Sequence, residues 1–189
     1  MNKIKEPEKI VIGVTGKNGS GKDTVCDFIE KKYQAKKLVF SDLLKKALSV
    51  FLDHITRNDF SWLSTNLRQR YGEGILAKGM KIQIEKTREK IIVVSGVRDF
   101  GELKMIKSYK NGYLVYVDVN LKIRWERISR RGTKIDDKIS FKEFKAIKEK
   151  LPSEKDIQAL GNSADFIIKN NSGLKDLEME IEKIMNKIL

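Results

Sequence analysis

The residues best suited to chemistry lie in one short run, Gly16-Lys17-Asn18-Gly19-Ser20-Gly21-Lys22-Asp23-Thr24. Its three glycines allow backbone angles closed to other residues, so successive amides can turn inward around an anion. A lysine follows, and then a helical pattern of Val25, Phe28, Ile29 and Tyr33, whose amino end adds positive partial charge. G-x-x-x-x-G-K between a strand pattern and a helix pattern reads as a phosphate-binding loop. Gly16, Asn18, Gly19, Ser20, Gly21, Lys22, Asp23 and Thr24 are therefore candidate ATP contacts, with Lys22 directed at the β- and γ-phosphates. The run departs from the usual pattern at Asp23, where Ser or Thr ordinarily meets magnesium. A carboxylate there is a candidate metal ligand, directly or through water, or a cap for the helix. Lys17 either touches phosphate or faces water.

Moving a phosphate needs more than holding one, and three further groups are candidates for transfer. Phe40-Ser41-Asp42 ends a second strand pattern: Asp42 is a candidate base for an attacking hydroxyl and Ser41 a candidate acceptor contact. A plain helix N-cap is the other reading of that pair. Arg98, in Ser95-Gly96-Val97-Arg98-Asp99 after the central strand, is positioned to hold an acceptor phosphate or to form a surface ion pair. Ser95 stands where many kinases of this kind carry a magnesium-serving acid, so Asp23 or Asp99 would have to compensate. Arg124, Arg127 and Arg131 share a helix face. They are either a solvated basic face or lid arginines, and a single transition-state arginine can contribute roughly 10³–10⁵ in rate.

These groups need a scaffold that brings loop ends together. Lys9–Thr15, Lys37–Phe40, Ile91–Ser95, Gly112–Val119 and Ala164–Ile168 read as strands. Between and after them, helices are expected at Asp42–His54, Trp62–Tyr71, Gly74–Thr87, Gly101–Tyr109, Lys122–Arg130 and Leu174–Leu189, with a charged insert from Arg131 to Gly161. Strands alternating with helices imply a five-stranded parallel sheet in a three-layer α/β/α sandwich, with ligands at the carboxyl ends of its strands.

The chain has 189 residues, room for one domain with a real core. A single cysteine, Cys26, excludes a disulfide scaffold and reads as a core residue. One histidine, His54, leaves no basis for a histidine metal cluster or a Ser-His-Asp triad; it is expected to end a helix. No apolar run is long enough for a membrane span, and the first residues lack the apolar stretch of a secretion signal, so a cytoplasmic location is expected. Lys and Arg number 39 against 26 Asp and Glu, a net charge of +13 that suits polyanions: nucleic acid, acidic lipid or phosphate-rich small molecules. The lysines alternate with glutamates along helix-like segments, as in residues 143–150, which argues against a nucleic-acid footprint. Trp62 and Trp125 either stack on a base or pack in the core.

The Gly-Lys-Asp-Thr ending resembles that of phage deoxynucleoside monophosphate kinases and animal phosphomevalonate kinases. Across most of the chain the sequence resembles the nucleoside-monophosphate-kinase-like group, and within it dephospho-CoA kinases and archaeal adenylate-kinase-related proteins. The resemblance is carried by the loop, Phe40-Ser41-Asp42, residues 67–77 around Arg68, Ser95 to Arg98, Arg127-Ile128-Ser129-Arg130-Arg131-Gly132 and Ala164 to Asn170. It implies a P-loop kinase with a core of 8–53, 88–130 and 162–189, an acceptor-binding helical region at 54–87 and a lid at 131–161. It further implies Arg68 as an acceptor residue, Arg127 and Arg131 in the lid, and Asn170 beside the adenine. Expected cofactor and partners are Mg2+ with ATP and a small nucleotide-like acceptor, in a monomer or small homo-oligomer. A nucleotide-dependent regulatory or RNA-binding module is the alternative.

Overall fold

Ile10–Thr15 forms strand β1, and every one of its residues is buried. Such a strand belongs inside a parallel sheet covered on both faces. The structure, a computed structural model, describes residues 8–131, 140–150 and 152–189. Around β1 stand β2 (Lys36–Val39), β3 (Ile91–Ser95), β4 (Asn111–Asp118) and β5 (Phe166–Lys169). The order is β2-β3-β1-β4-β5 and every pairing is parallel. Strand order thus reverses about β1, which opens a crevice at the carboxyl ends of the central strands.

The helices are α1 (Lys22–Tyr33), α2 (Phe40–Leu48), α3 (Arg57–Tyr71), α4 (Ile75–Lys86), α5 (Phe100–Lys107), α6 (Leu121–Arg131), α7 (Phe141–Lys150), α8 (Pro152–Asn162) and α9 (Leu174–Ile188). Side chains alternate across the sheet. Ile10, Ile12 and Val14 of β1 meet Val25 and Ile29 of α1 and Ile181 and Met185 of α9 on one face. Val11, Ile92 and Val94 meet Phe40, Met80, Ile84, Ile106 and Leu160 on the other, from α2, α4, α5 and α8. The expected three layers are present, and Cys26 lies in the first core.

Several expected boundaries move, each for a local reason. α2 begins directly on β2 and stops at Leu48, well short of His54, so that histidine ends no helix. Val50 and Phe51 beyond it are strongly exposed, and nothing apolar draws the helix onward. α3 starts at Arg57 rather than Trp62, because Thr56 and Asp59 form a reciprocal capping box. Trp62 is 63% exposed, which corrects the core-packing expectation. β5 starts at Phe166; Asp165 anchors its entry by accepting from the Leu114 amide at 2.6 Å and pairing with Lys107.

The segment 131–161, read as a charged lid, carries α7 and α8. Phe144 and Leu160 are buried, and Leu160 belongs to the second core, so the far end of that segment packs as core. Residues 132–139 and 151 of this expectation lie outside the described residues.

Candidate functional site

The phosphate loop leaves β1 with no room for a side chain at its glycines. A Cβ on Gly16 would lie 2.5 Å from Ser20 Oγ and 2.8 Å from the Val117 carbonyl. Gly19 and Gly21 have φ of 81° and 88°, the left-handed region where glycine alone is unstrained. Ser20 is buried, and its Oγ has no hydrogen-bond partner among the described residues. A buried hydroxyl left unpaired costs about 1–3 kcal/mol, a cost that a ligand can relieve.

Side chains from α6 and from the segment after β5 hold the loop from outside. Arg124 of α6 is buried and donates through Nε to the Asn18 carbonyl at 2.9 Å, while its guanidinium lies 5.9 Å from the Phe144 ring centroid. Asn170, after β5, donates through Nδ2 to the Ser20 carbonyl at 2.9 Å. Arg127 Nη2 in turn donates to the Asn170 carbonyl at 3.0 Å and to its Oδ1 at 3.3 Å. Arg127 Nη1 is buried without a partner among the described residues, and burial draws the guanidinium pKa below its usual value. Thr15 Oγ1 donates to the Val97 carbonyl at 2.7 Å, tying the end of β1 to the turn after β3.

The structure therefore brings Gly16, Asn18, Gly19, Ser20, Gly21, Lys22, Asn170 and Arg127 together at the carboxyl end of β1. Lys22 is largely covered, with Nζ 3.9 Å from Asp23 Oδ2. Asp23 accepts a hydrogen bond from Ser95 Oγ at 2.9 Å. Thr24 is exposed in the first turn of α1. Arg131 closes α6, and its side chain lies outside the described residues. Burial pushes the Cys26 thiol up to about 12, which removes it from thiolate chemistry near neutral pH.

The acceptor candidates are arranged differently. Arg68 reaches from α3 toward three carboxylates: Asp99 Oδ2 at 3.4 Å, Glu102 Oε1 at 3.8 Å and Glu73 Oε2, from its Nε, at 3.5 Å. Glu102 is buried and accepts the Arg98 amide at 2.6 Å. Burial, reinforced by the neighbouring Asp99 charge, pushes its carboxyl up to about 7 despite that bond and the two arginines. The Arg98 side chain itself is exposed. Ser41 and Asp42 are exposed in the first turn of α2. Asp42 borders a depression lined by Lys36, Val39, Lys46, Met80 and Gln83, and by no residue of the phosphate loop.

Sequence reasoning missed two contacts. The helix spacing leaves Arg124 either on a solvated basic face or among lid arginines, whereas it is a buried clamp on the loop. Ser95 stands in the sequence only as a missing acid, whereas its hydroxyl engages Asp23. A buried arginine must find acceptors, but periodicity alone does not say where they are.

Comparison with known proteins bears on the family and the fold. A UPF0200 protein of Sulfurisphaera tokodaii is 28% identical over 183 residues, covering 95% of this chain and 97% of its own. UPF0200 protein MJ1399 of Methanocaldococcus jannaschii is 26% identical, covering 95% of this chain and 91% of its own. Among solved structures, shikimate kinase from Bacteroides thetaiotaomicron superposes with a TM-score of 0.64 at 14% identity, covering 95% of this chain and 98% of its own. TT1252 from Thermus thermophilus reaches 0.61 at 17% identity, with 96% and 99% covered. The architecture is thus the three-layer P-loop kinase fold. The AAA domain family AAA_18 matches residues 12–148, most of the chain, and the protein belongs to that family.

Proposed function

We propose that the protein is an ATP-dependent phosphotransferase acting on a small nucleotide-like acceptor, either dephospho-CoA or a ribo- or deoxyribonucleoside monophosphate. The observation that carries this reading is the clamped glycine loop with Lys22 beside it and the orphaned Ser20 hydroxyl within it. Loop amides and Lys22 hold the phosphates, and Asn170 keeps the loop in register while lying on the adenine side. Arg127, with one nitrogen unpartnered among the described residues, and Arg131 stabilise charge on the transferring group. Arg68 and Arg98 orient the acceptor, with 54–87 as its binding region and the segment from 131 as a lid.

Mg2+ fits this donor set. Among the described residues no cluster of three or more acidic, histidine or cysteine side chains occurs, but magnesium with a nucleotide commonly takes only one or two carboxylates besides phosphates. Asp23 is the carboxylate at hand. When bound, the ion neutralises charge on the β- and γ-phosphates.

For a hydroxyl acceptor, the acceptor oxygen forms a bond to the γ-phosphorus, the bond to the ADP oxygen breaks, and the hydroxyl proton passes to an Asp42 carboxylate oxygen. A monophosphate acceptor is already an oxyanion and needs no base. The deciding experiment is ADP release from Mg-ATP across dephospho-CoA and the common nucleoside monophosphates, with Lys22→Ala as the blank. Stimulation by one acceptor, lost in the blank, establishes the reading; Asp42→Asn then abolishes turnover of a hydroxyl acceptor and spares a monophosphate. A flat panel across every acceptor overturns it. The +13 charge supports a second reading, a regulatory RNA-binding module, whose mark is salt-steep RNA binding with no acceptor turnover.

A further inference from the structure

Phosphate-loop proteins that use magnesium hold the ion with a hydroxyl on the helix after the loop and an acid from a neighbouring strand. In this chain those two residue types stand at each other's positions. Asp23 directly follows Lys22 at the start of α1, and Ser95 ends β3. The register pairs Ser95 with Val14, on the strand that feeds the loop. The two side chains touch across 72 residues of sequence, with Ser95 Oγ donating to Asp23 Oδ1 at 2.9 Å. Ser95 is 1% exposed, whereas the Asp23 side chain is 67% exposed. The bond therefore holds one carboxylate oxygen from the protein side and leaves Oδ2 on the loop side, 3.9 Å from Lys22 Nζ.

We infer that the metal-holding pair of this protein is transposed: Asp23 presents the carboxylate to the nucleotide's divalent cation from the helix, and Ser95 is the positioning residue that aims it. The inference rests on the nucleotide-binding reading above. Its logic is electrostatic. A carboxylate at position 95 would be buried and would carry a desolvation cost, whereas a hydroxyl there is neutral and donates to a charge left at the surface. Changing either position alone breaks the pair. Serine at both positions leaves no carboxylate, and aspartate at both sets two like charges in contact. The orphaned Ser20 hydroxyl in the adjoining loop independently marks the place as one that receives a ligand.

Mn2+ is the probe. The full-length protein is first tested for binding of a non-hydrolysable ATP analogue in EDTA; the chelator is then removed, and Mn2+ is titrated into the metal-free complex and followed by electron paramagnetic resonance. Asp23→Asn and Ser95→Ala should each weaken Mn2+ binding by about 10–100-fold, the usual range for losing a ligand or its orienting partner. Ser95→Thr keeps the hydroxyl and should bind Mn2+ more tightly than Ser95→Ala. Asp23→Ser alone should be weak, and the exchange D23S/S95D should recover most of the loss. Unchanged Mn2+ affinity in Asp23→Asn, or an exchange variant that folds yet binds no better than Asp23→Ser, overturns the transposition while leaving nucleotide binding intact. If Ser95→Asp prevents folding, equal affinities of Ser95→Ala and Ser95→Thr overturn it instead. Failure of the parent protein to bind the analogue at all defeats the kinase reading, and the transposition with it.

Discussion

The two halves of the crevice are built to different standards. On the phosphate side, carbonyls of Asn18 and Ser20 are each held by a side chain from a distant element, and Arg124 and Asn170 are themselves buried. Around the proposed acceptor residues, Trp62 and Tyr71 face solvent, and Ser41 and Asp42 are exposed. Arg68 there leans on three carboxylates rather than on a closed hydrogen-bond shell. A site that must meet developing charge gains from groups fixed in advance, since no reorganisation is then needed during reaction. A site that must admit and release a variable small molecule gains from surfaces left open. The contrast predicts that substitutions on the phosphate side damage stability and turnover together, while those on the acceptor side separate them.

The largest effect is expected at Lys22. Lys22→Ala should lower acceptor-stimulated ADP release by on the order of 10²–10³, the cost of one charged group at a developing anion. Circular dichroism should meanwhile report an unchanged fold. Arg124→Met tests the clamp: the Asn18 carbonyl loses its donor, and thermal unfolding should show a loss of about 1–3 kcal/mol. Nucleotide affinity should fall as well, although Arg124 touches no nucleotide in this reading; a variant that unfolds earlier but binds normally would break the link between clamp and site.

Glu102 offers a pH test of the acceptor side. Its folded pKa, about 7, lies above the ordinary 4.5, so the folded state binds the proton more tightly than the unfolded chain. Its contribution to stability is present in full below about pH 4.5 and is lost as pH rises toward and past 7. Glu102→Gln should flatten the fall in melting temperature across that window; an unchanged slope would assign the pH dependence elsewhere. The smallest effect belongs to Trp62→Ala. Its stability should stay within about 0.5 kcal/mol of the parent, as expected for an exposed side chain. A large destabilisation would mean that the acceptor side is as tightly built as the phosphate side.

Much of this was legible in the residues. The loop from Gly16 to Lys22, the five strands and their parallel arrangement follow from backbone chemistry and apolar period, which are local and survive any packing. Helix ends were less legible: the capping box at Thr56 lies outside the apolar pattern of α3, and the end of α2 at Leu48 reflects missing burial rather than a breaker residue. The charge pattern of residues 131–161 suggests a lid and conceals Phe144 and Leu160, both buried, with Leu160 in the second core.

By itself the sequence determined what kind of loop this protein carries and which strand must feed it, because glycine spacing acts through a few consecutive dihedrals. Only the tertiary structure decided what that loop leans on. Arg124 reaches Asn18 over 106 positions, Asn170 reaches Ser20 over 150, and Ser95 reaches Asp23 over 72. Such partners share no sequence neighbourhood. They meet because β1, β3, β4 and β5 align in one sheet and deliver their carboxyl ends to the same place, and which polar groups find one another there is a property of packing.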